Sequence, residues 1–286
     1  MSRGSAPGKV ILLGEHSVVY GHPALAAAIP RYVSVEVTRA DEARIELPGG
    51  IQVPFPVLDA AREMAQAAGF SGAFHARVQS DIPLGSGLGS SAALGVALAR
   101  AFKPGCGAAE AAALAMRLES VLHGAPSGVD PAACAREGVI FFTRGEPPVV
   151  EAVRGSAWIV VALTGIARGT HSTVMPLAER RRTDPGVDPL LARLGQLARE
   201  GRKLFEEGAL EPLGVRLDAA HRILAELGVS CAELDEAVGA LKHQGALGAK
   251  LTGAGGGGAA IGLARDEAHA REMAARTSGF AVKVGA

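Results

Sequence analysis

Cysteine is scarce in this 286-residue chain: Cys106, Cys134 and Cys231 stand far apart, with no CxxC pair and no metal-ligand spacing. That excludes a disulfide-stapled scaffold and fits a reducing, cytoplasmic setting. An excess of either charge is missing as well. Lys+Arg 29 balance Asp+Glu 29, which speaks against a general nucleic-acid binder. No stretch approaches the roughly 18–20 apolar residues of a membrane span. The opening MSRGSAPGKVILLGEH shows no secretory signal, because its apolar run at residues 10–13 is too short. Repeats of solenoid period and low-complexity linkers are lacking too. What the chain does have is glycine: 38 residues, about 13%, against a usual share of about 7%. With 48% hydrophobic residues this is not disorder, and the length suits one large or two medium domains. The glycines cluster, and the clusters carry the information.

Apolar periodicity and Gly/Pro punctuation predict the element order. Strands are expected at residues 10–13, 31–39, 44–47, 51–55 and 75–80, with a helix at 57–68 before the last of these. Helices follow at 92–103 and 108–123, then strands at 138–143 and 158–163. The segment 144–156, with Pro147-Pro148 and Gly155, reads as a domain boundary, giving domains at 1–153 and 154–286. Beyond it helices are expected at about 189–207, 211–227 and 231–244. A glycine-rich strand–turn–strand follows at 249–263, then a helix at 267–277 and a strand at 280–284. The fold class is α+β, two halves with helices covering mixed sheets.

The strongest local signal is Gly85, Ser86, Gly87, Leu88, Gly89, Ser90 and Ser91, set between a predicted strand and a predicted helix. Three glycines let the backbone approach a ligand, and a helix N-terminus adds positive partial charge. Ser90 and Ser91 supply hydroxyls where a phosphate or Mg²⁺ could sit. A tight turn with a serine cap would account for one glycine pair; this density favours a phosphate loop. It is neither a Walker A loop nor a dinucleotide fingerprint. Residues 4–10 miss the first on spacing and on the final Ser/Thr, and Ser90 falls where the second needs its third glycine.

Three further features stand out. Lys250-Leu251-Thr252-Gly253-Ala254 leads into four more glycines between apolar flanks, either a flexible hairpin tip or a support for the first glycine cluster. Lys9 enters an apolar run that ends in Gly14-Glu15-His16, and lysine is seldom buried without a job. Glu119 lies on a predicted helix, and Asp130 follows in the rigid loop His123-Gly124-Ala125-Pro126-Ser127-Gly128-Val129-Asp130. One of these carboxylates could hold a metal while the other accepts a proton; taken singly, each is equally a solvated helix charge or a turn residue.

Together, in this order, these motifs resemble those of the GHMP small-molecule kinases, over essentially the whole chain. Within that family the first motif, the catalytic loop and the third motif look most like those of the mevalonate kinase branch. The resemblance implies an N-terminal domain similar to ribosomal protein S5 domain 2, a ferredoxin-like C-terminal domain and an active site between them. It implies ATP and Mg²⁺ as cofactors, mevalonate as the small-molecule acceptor, and phosphorylation of its C5 hydroxyl. No nucleic acid or membrane partner is expected, and a homodimer is. By the same resemblance, Asp130 would take or orient the proton of the acceptor hydroxyl, and Lys9 would lower that hydroxyl's pKa and steady Asp130. Ser91, or less readily Ser90, and Glu119 would coordinate Mg²⁺. Backbone groups of residues 85–91 would cradle the ATP phosphates. Glu15, His16 and, by a looser match, Thr173 would line the acceptor pocket. The region around residues 49–55 is trimmed relative to the family, so no adenine contact is assigned. Phosphomevalonate kinase is the nearest alternative. A galactokinase would carry Thr-Asp where Ser17-Val18 stand, a homoserine kinase usually lacks the loop aspartate, and a non-catalytic homologue should have lost Lys9, Glu119 or Asp130. The run Arg180-Arg181-Arg182 reads as a solvated charge run.

Overall fold

The computed structural model describes residues 1–83, 85–166 and 171–286; the side chains of residues 171 and 172 are outside the described set. The chain divides into two compact units. The first comprises Met1–Lys9, Pro30–Pro83 and Gly89–Glu137, and the second Val10–Ile29, residues 85–88 and Gly138–Ala286. Two long strands, β1 (Ser2–Leu13) and β2 (Ala24–Arg39), each belong partly to one unit and partly to the other.

In the first unit, β3 (Arg44–Leu47) and β4 (Ile51–Gln52) form a small antiparallel pair, with Leu47 opposite Ile51. Helix α1 (Phe55–Ala67) leads to β5 (Phe74–Ser80). The far half of β2 pairs antiparallel with β5, from Val33 opposite Ser80 to Arg39 opposite Phe74, and β3 joins β5 in parallel, giving the order β4-β3-β5-β2. Helices α2 (Ser90–Phe102), α3 (Ala108–His123) and α4 (Val129–Cys134) complete the unit. α2 is buried almost all round, as its alanine-rich sequence allows: small side chains let α3 come close, and Gly95 meets Ala115 there.

In the second unit, β6 (Val139–Thr143) pairs with the near half of β2, and β7 (Val149–Val153) pairs with β6. β8 (Ser156–Leu163) is followed by α5 (His171–Thr183), α6 (Val187–Glu206), α7 (Leu210–Glu226) and α8 (Ala232–His243). Then come β9 (Gly248–Thr252), β10 (Ala259–Leu263), α9 (Glu267–Arg276) and β11 (Gly279–Gly285). The second sheet has the order β11-β8-β10-β9, every pairing antiparallel. Val238 and Leu241 of α8 and Ala270 and Met273 of α9 pack on its Val160, Ala162 and Ala260. Its edge at β9 is closed by α7, where Asp218 accepts a hydrogen bond from the Ala249 amide at 2.8 Å.

The structure extends several predicted elements and adds others. β1 and β2 run well beyond the expected 10–13 and 31–39, because Pro7 and an alanine-rich stretch at 24–28 carry little strand propensity of their own and are set by pairing. β7 lies inside the segment read as a boundary, hidden behind Pro147-Pro148. α5 was not foreseen, since Pro176 interrupts its pattern.

Candidate active site

In the first unit a lysine, two carboxylates, a serine and a histidine converge. Lys9 comes from the end of that unit's part of β1, and its side chain is 3% exposed. Its ammonium stands 2.9 Å from Asp130 Oδ2, and Asp130 is 31% exposed. Asp130 occupies the first turn of α4, a place that favours a negative charge. Burial is the largest influence on the Lys9 ammonium and works against it. The charge and hydrogen bond of Asp130, with help from Glu119, outweigh burial and raise its pKa above the ordinary lysine value. Lys9 is therefore a fixed cation. Gly89 is required beside it: its φ is +78°, and a Cβ there would stand 2.8 Å from Lys9 Cγ.

Glu119 is the single carboxylate on the buried face of α3, between Leu118 and Ala115, and is 2% exposed. Burial first, and the charge of Asp130 second, push its carboxyl up to about 7, against a hydrogen bond from Ser91 and the charge of Lys9. Ser91, in the first turn of α2, also lies 3.1 Å from His123 Nε2, and that nitrogen is 3.7 Å from Glu119 Oε1. Glu119 Oε1 is buried and has no hydrogen-bond partner among the described residues. An orphaned carboxylate oxygen beside a serine hydroxyl suits a hard divalent cation. Among the described residues no group of three or more His, Cys, Asp or Glu could hold a metal by itself. A Mg²⁺ held by Ser91 and Glu119 would thus take the rest of its shell from phosphate and water.

In the second unit, residues 85–88 alternate: Gly85 and Gly87 are exposed, whereas Ser86 and Leu88 are buried. Leu88 anchors the loop, and the two glycines, lacking side chains, let a ligand approach its exposed positions. Glu15 and His16 follow β1 in the same unit. Glu15 is fully buried and paired with Lys250, while His16 is 6% exposed and its Nε2 donates to the Ala254 carbonyl at 2.9 Å. Burial lowers the His16 pKa to about 4, so the ring is neutral at physiological pH. Thr173 is buried in the first turn of α5. The three arginines are engaged with Asp184, Asp188 and Glu179, as a solvated charge run would be.

Sequence reasoning assigned no role to His123 or Lys250, although both lie in motifs it singled out. The signal for Lys250 was available: a lysine between Ala249 and Leu251 in a strand buried throughout is as unusual as Lys9.

The first unit's cluster, a fixed lysine on a half-exposed aspartate beside a cation-ready Ser/Glu pair, suits phosphoryl transfer, which asks a protein mainly for positioning and electrostatics. The sequence agrees. The family description "GHMP kinases N terminal domain" matches residues 56–138 and "GHMP kinases C terminal" matches residues 202–280. The mevalonate kinase of Aeropyrum pernix is 36% identical over 288 residues, covering 93% of this chain and 89% of that one. The mevalonate kinase of Pyrococcus furiosus is 35% identical, covering 96% and 92%. In three dimensions the chain is similar to L. major mevalonate kinase in complex with R-mevalonate, with a TM-score of 0.83, 26% identity, and 100% and 96% of the two chains covered. The chain belongs to the GHMP kinase family. Among the described residues no helix is long and apolar enough to cross a membrane.

Proposed function

We propose that this chain is a mevalonate kinase, transferring the γ-phosphoryl group of ATP to the primary (C5) hydroxyl of mevalonate in the route to isoprenoid precursors. The observation that carries the chemistry is the Lys9–Asp130 pair at 2.9 Å, with the lysine sealed and the carboxylate partly open. The acceptor follows from the relatives, which are mevalonate kinases over nine-tenths of the chain.

Asp130 accepts the hydroxyl proton as the acceptor oxygen attacks the γ-phosphorus and the bond to the ADP oxygen breaks. Lys9 holds Asp130 in place and favours the alkoxide character that develops on the attacking oxygen. Backbone amides of residues 85–91 bind the phosphates, and Ser91 and Glu119 would hold Mg²⁺. The chemistry such a cation would supply there is neutralisation of charge on the phosphate oxygens. The resemblance puts Glu15, His16 and Thr173 on the acceptor side, and this reading keeps His16 and Thr173 there; Glu15 is sealed on Lys250. The proposal also includes a boundary near residues 153 and 154, a cytoplasmic location and a homodimer.

A coupled assay for ADP release over mevalonate, phosphomevalonate, galactose and homoserine tests it. Turnover with mevalonate at least tenfold above the others is expected; preference for any of the other three overturns the acceptor assignment.

A further inference from the structure

The residues after β1 form a strained turn. His16 has φ 59° and ψ −48°, a region sparsely populated by residues with a side chain. The Ser17 amide donates to the Glu15 carbonyl at 2.6 Å, closing a three-residue turn of the rare positive-φ kind. Such a turn persists only where its surroundings over-determine it. Here the surroundings come from the third glycine-rich motif, 235 or more residues further along the chain. Lys250, fully buried on β9, donates to Glu15 Oε1 and to the Leu251 carbonyl at 2.5 Å. The Thr252 hydroxyl both accepts from the Ile11 amide at 2.9 Å and donates to the Ile11 carbonyl at 3.1 Å. Ala254 then takes the His16 ring. These are polar ties at residues 250, 252 and 254.

Two glycines of the same segment meet the phosphate loop. A Cβ built at Gly258 would stand 3.0 Å from the Ser86 carbonyl oxygen, and one at Gly253 would stand 3.1 Å from the Gly87 carbonyl oxygen. The glycines at 253 and 258 let this backbone lie directly against residues 86 and 87. Whatever fixes residues 250–254 therefore fixes the support of the loop.

We propose that Glu15 and Lys250 are a positioning pair for the nucleotide side of the enzyme: sealed from solvent, they lock the turn at His16 and the glycine-rich segment 252–258 into one piece that backs residues 86 and 87. Glu15 then acts through Lys250 on ATP binding and makes no contact with the acceptor. The inference rests on the kinase reading but not on the acceptor's identity. It departs from the acceptor-side role that resemblance gives Glu15.

Three full-length variants test it: Glu15→Gln, Lys250→Met, and the double variant Glu15→Leu/Lys250→Met. An apolar pair can replace a buried ion pair without loss of stability, so the double variant separates positioning from mere stability. Each protein is titrated calorimetrically with adenylyl imidodiphosphate and Mg²⁺ without acceptor, its melting temperature is measured, and KM is determined for ATP and for mevalonate. We expect the double variant to melt near wild type, yet bind the analogue about tenfold more weakly. KM for ATP should rise in step and KM for mevalonate should stay within about twofold. Should the double variant fail to fold, the near-isosteric Glu15→Gln decides by the same split. Wild-type analogue affinity in a folded variant overturns the proposal, as does a rise in mevalonate KM alone. A wild-type protein that binds the analogue but phosphorylates none of the four acceptors refutes the acceptor assignment only. One that does not bind the analogue removes the kinase reading and this inference together.

Discussion

Each unit of the molecule holds one buried lysine on one carboxylate, and the two pairs differ in what the carboxylate can reach. In the first unit Asp130 keeps 31% of its side chain open while Lys9 is closed in behind it. In the second unit Glu15 and Lys250 are both at 0%. A carboxylate that stays partly hydrated can exchange a proton with a substrate and tolerates loss of its partner. A sealed carboxylate cannot meet a substrate and depends on protein groups for solvation. In the proposed reading one pair type serves chemistry in one place and architecture in the other, and exposure decides which.

The largest effect should fall on the sealed pair. Lys250→Met keeps the length of the side chain but removes the ammonium from the buried Glu15 carboxyl, a change that costs about 3–5 kcal/mol in buried pairs. Calorimetry should show a melting temperature lowered by several degrees at least, at about 2–4 °C per kcal/mol for a protein of this size. Lys9→Met should behave in the opposite way. Its neighbour is half-solvated, so melting should shift little, while kcat falls by about 10²–10³, the loss typical of removing one oriented electrostatic donor. If Lys9→Met destabilised the fold as much as Lys250→Met, the distinction between the two pairs would be lost.

A smaller effect concerns pH. His16 is held near pKa 4 by burial, against an ordinary value of 6.5. Below 6.5 the unfolded chain binds a proton there that the folded chain does not, so folding weakens as pH falls. The His16 contribution is fully present above about pH 6.5 and is lost progressively towards pH 4. It amounts to about 3 kcal/mol at most, at about 1.4 kcal/mol per pH unit. Denaturant titrations of wild type and His16→Asn between pH 4 and 7.5 should show a shallower decline in the variant. Parallel curves would mean that His16 titrates normally.

Much of this was legible in the sequence, for identifiable reasons. Helix α3 was bounded as predicted, because Gly107 and Gly124 flank an alanine- and leucine-rich run with apolar periodicity. The Lys9–Asp130 pairing, expected from two motifs about 120 residues apart, is present at 2.9 Å. Ser91 and Glu119 were expected to face one another, and His123 Nε2 lies between them, 3.1 Å from the Ser91 hydroxyl and 3.7 Å from Glu119 Oε1. Less legible was whatever depends on solvent exposure. Glu15-His16 and Gly128-Val129-Asp130 both look like functional loops in one dimension. Only folding shows that Glu15 is closed off and Asp130 is not. The long extensions of β1 and β2 were invisible for a related reason: alanine and proline there adopt strand geometry because their neighbours pair with them.

The most direct measurement is kcat of Asp130→Asn with mevalonate, taken on one preparation together with its melting temperature and KM values. The amide is nearly isosteric, so melting should stay close to wild type. What disappears is the proton acceptor and the negative charge beside Lys9. A fall in kcat of about 10²–10⁴ is expected, the usual share of general-base catalysis, with a much smaller change in KM for mevalonate. A well-folded Asp130→Asn enzyme keeping more than about a tenth of wild-type turnover would contradict the role of the half-open pair as the site of chemistry, since even the low end of that range exceeds such a loss.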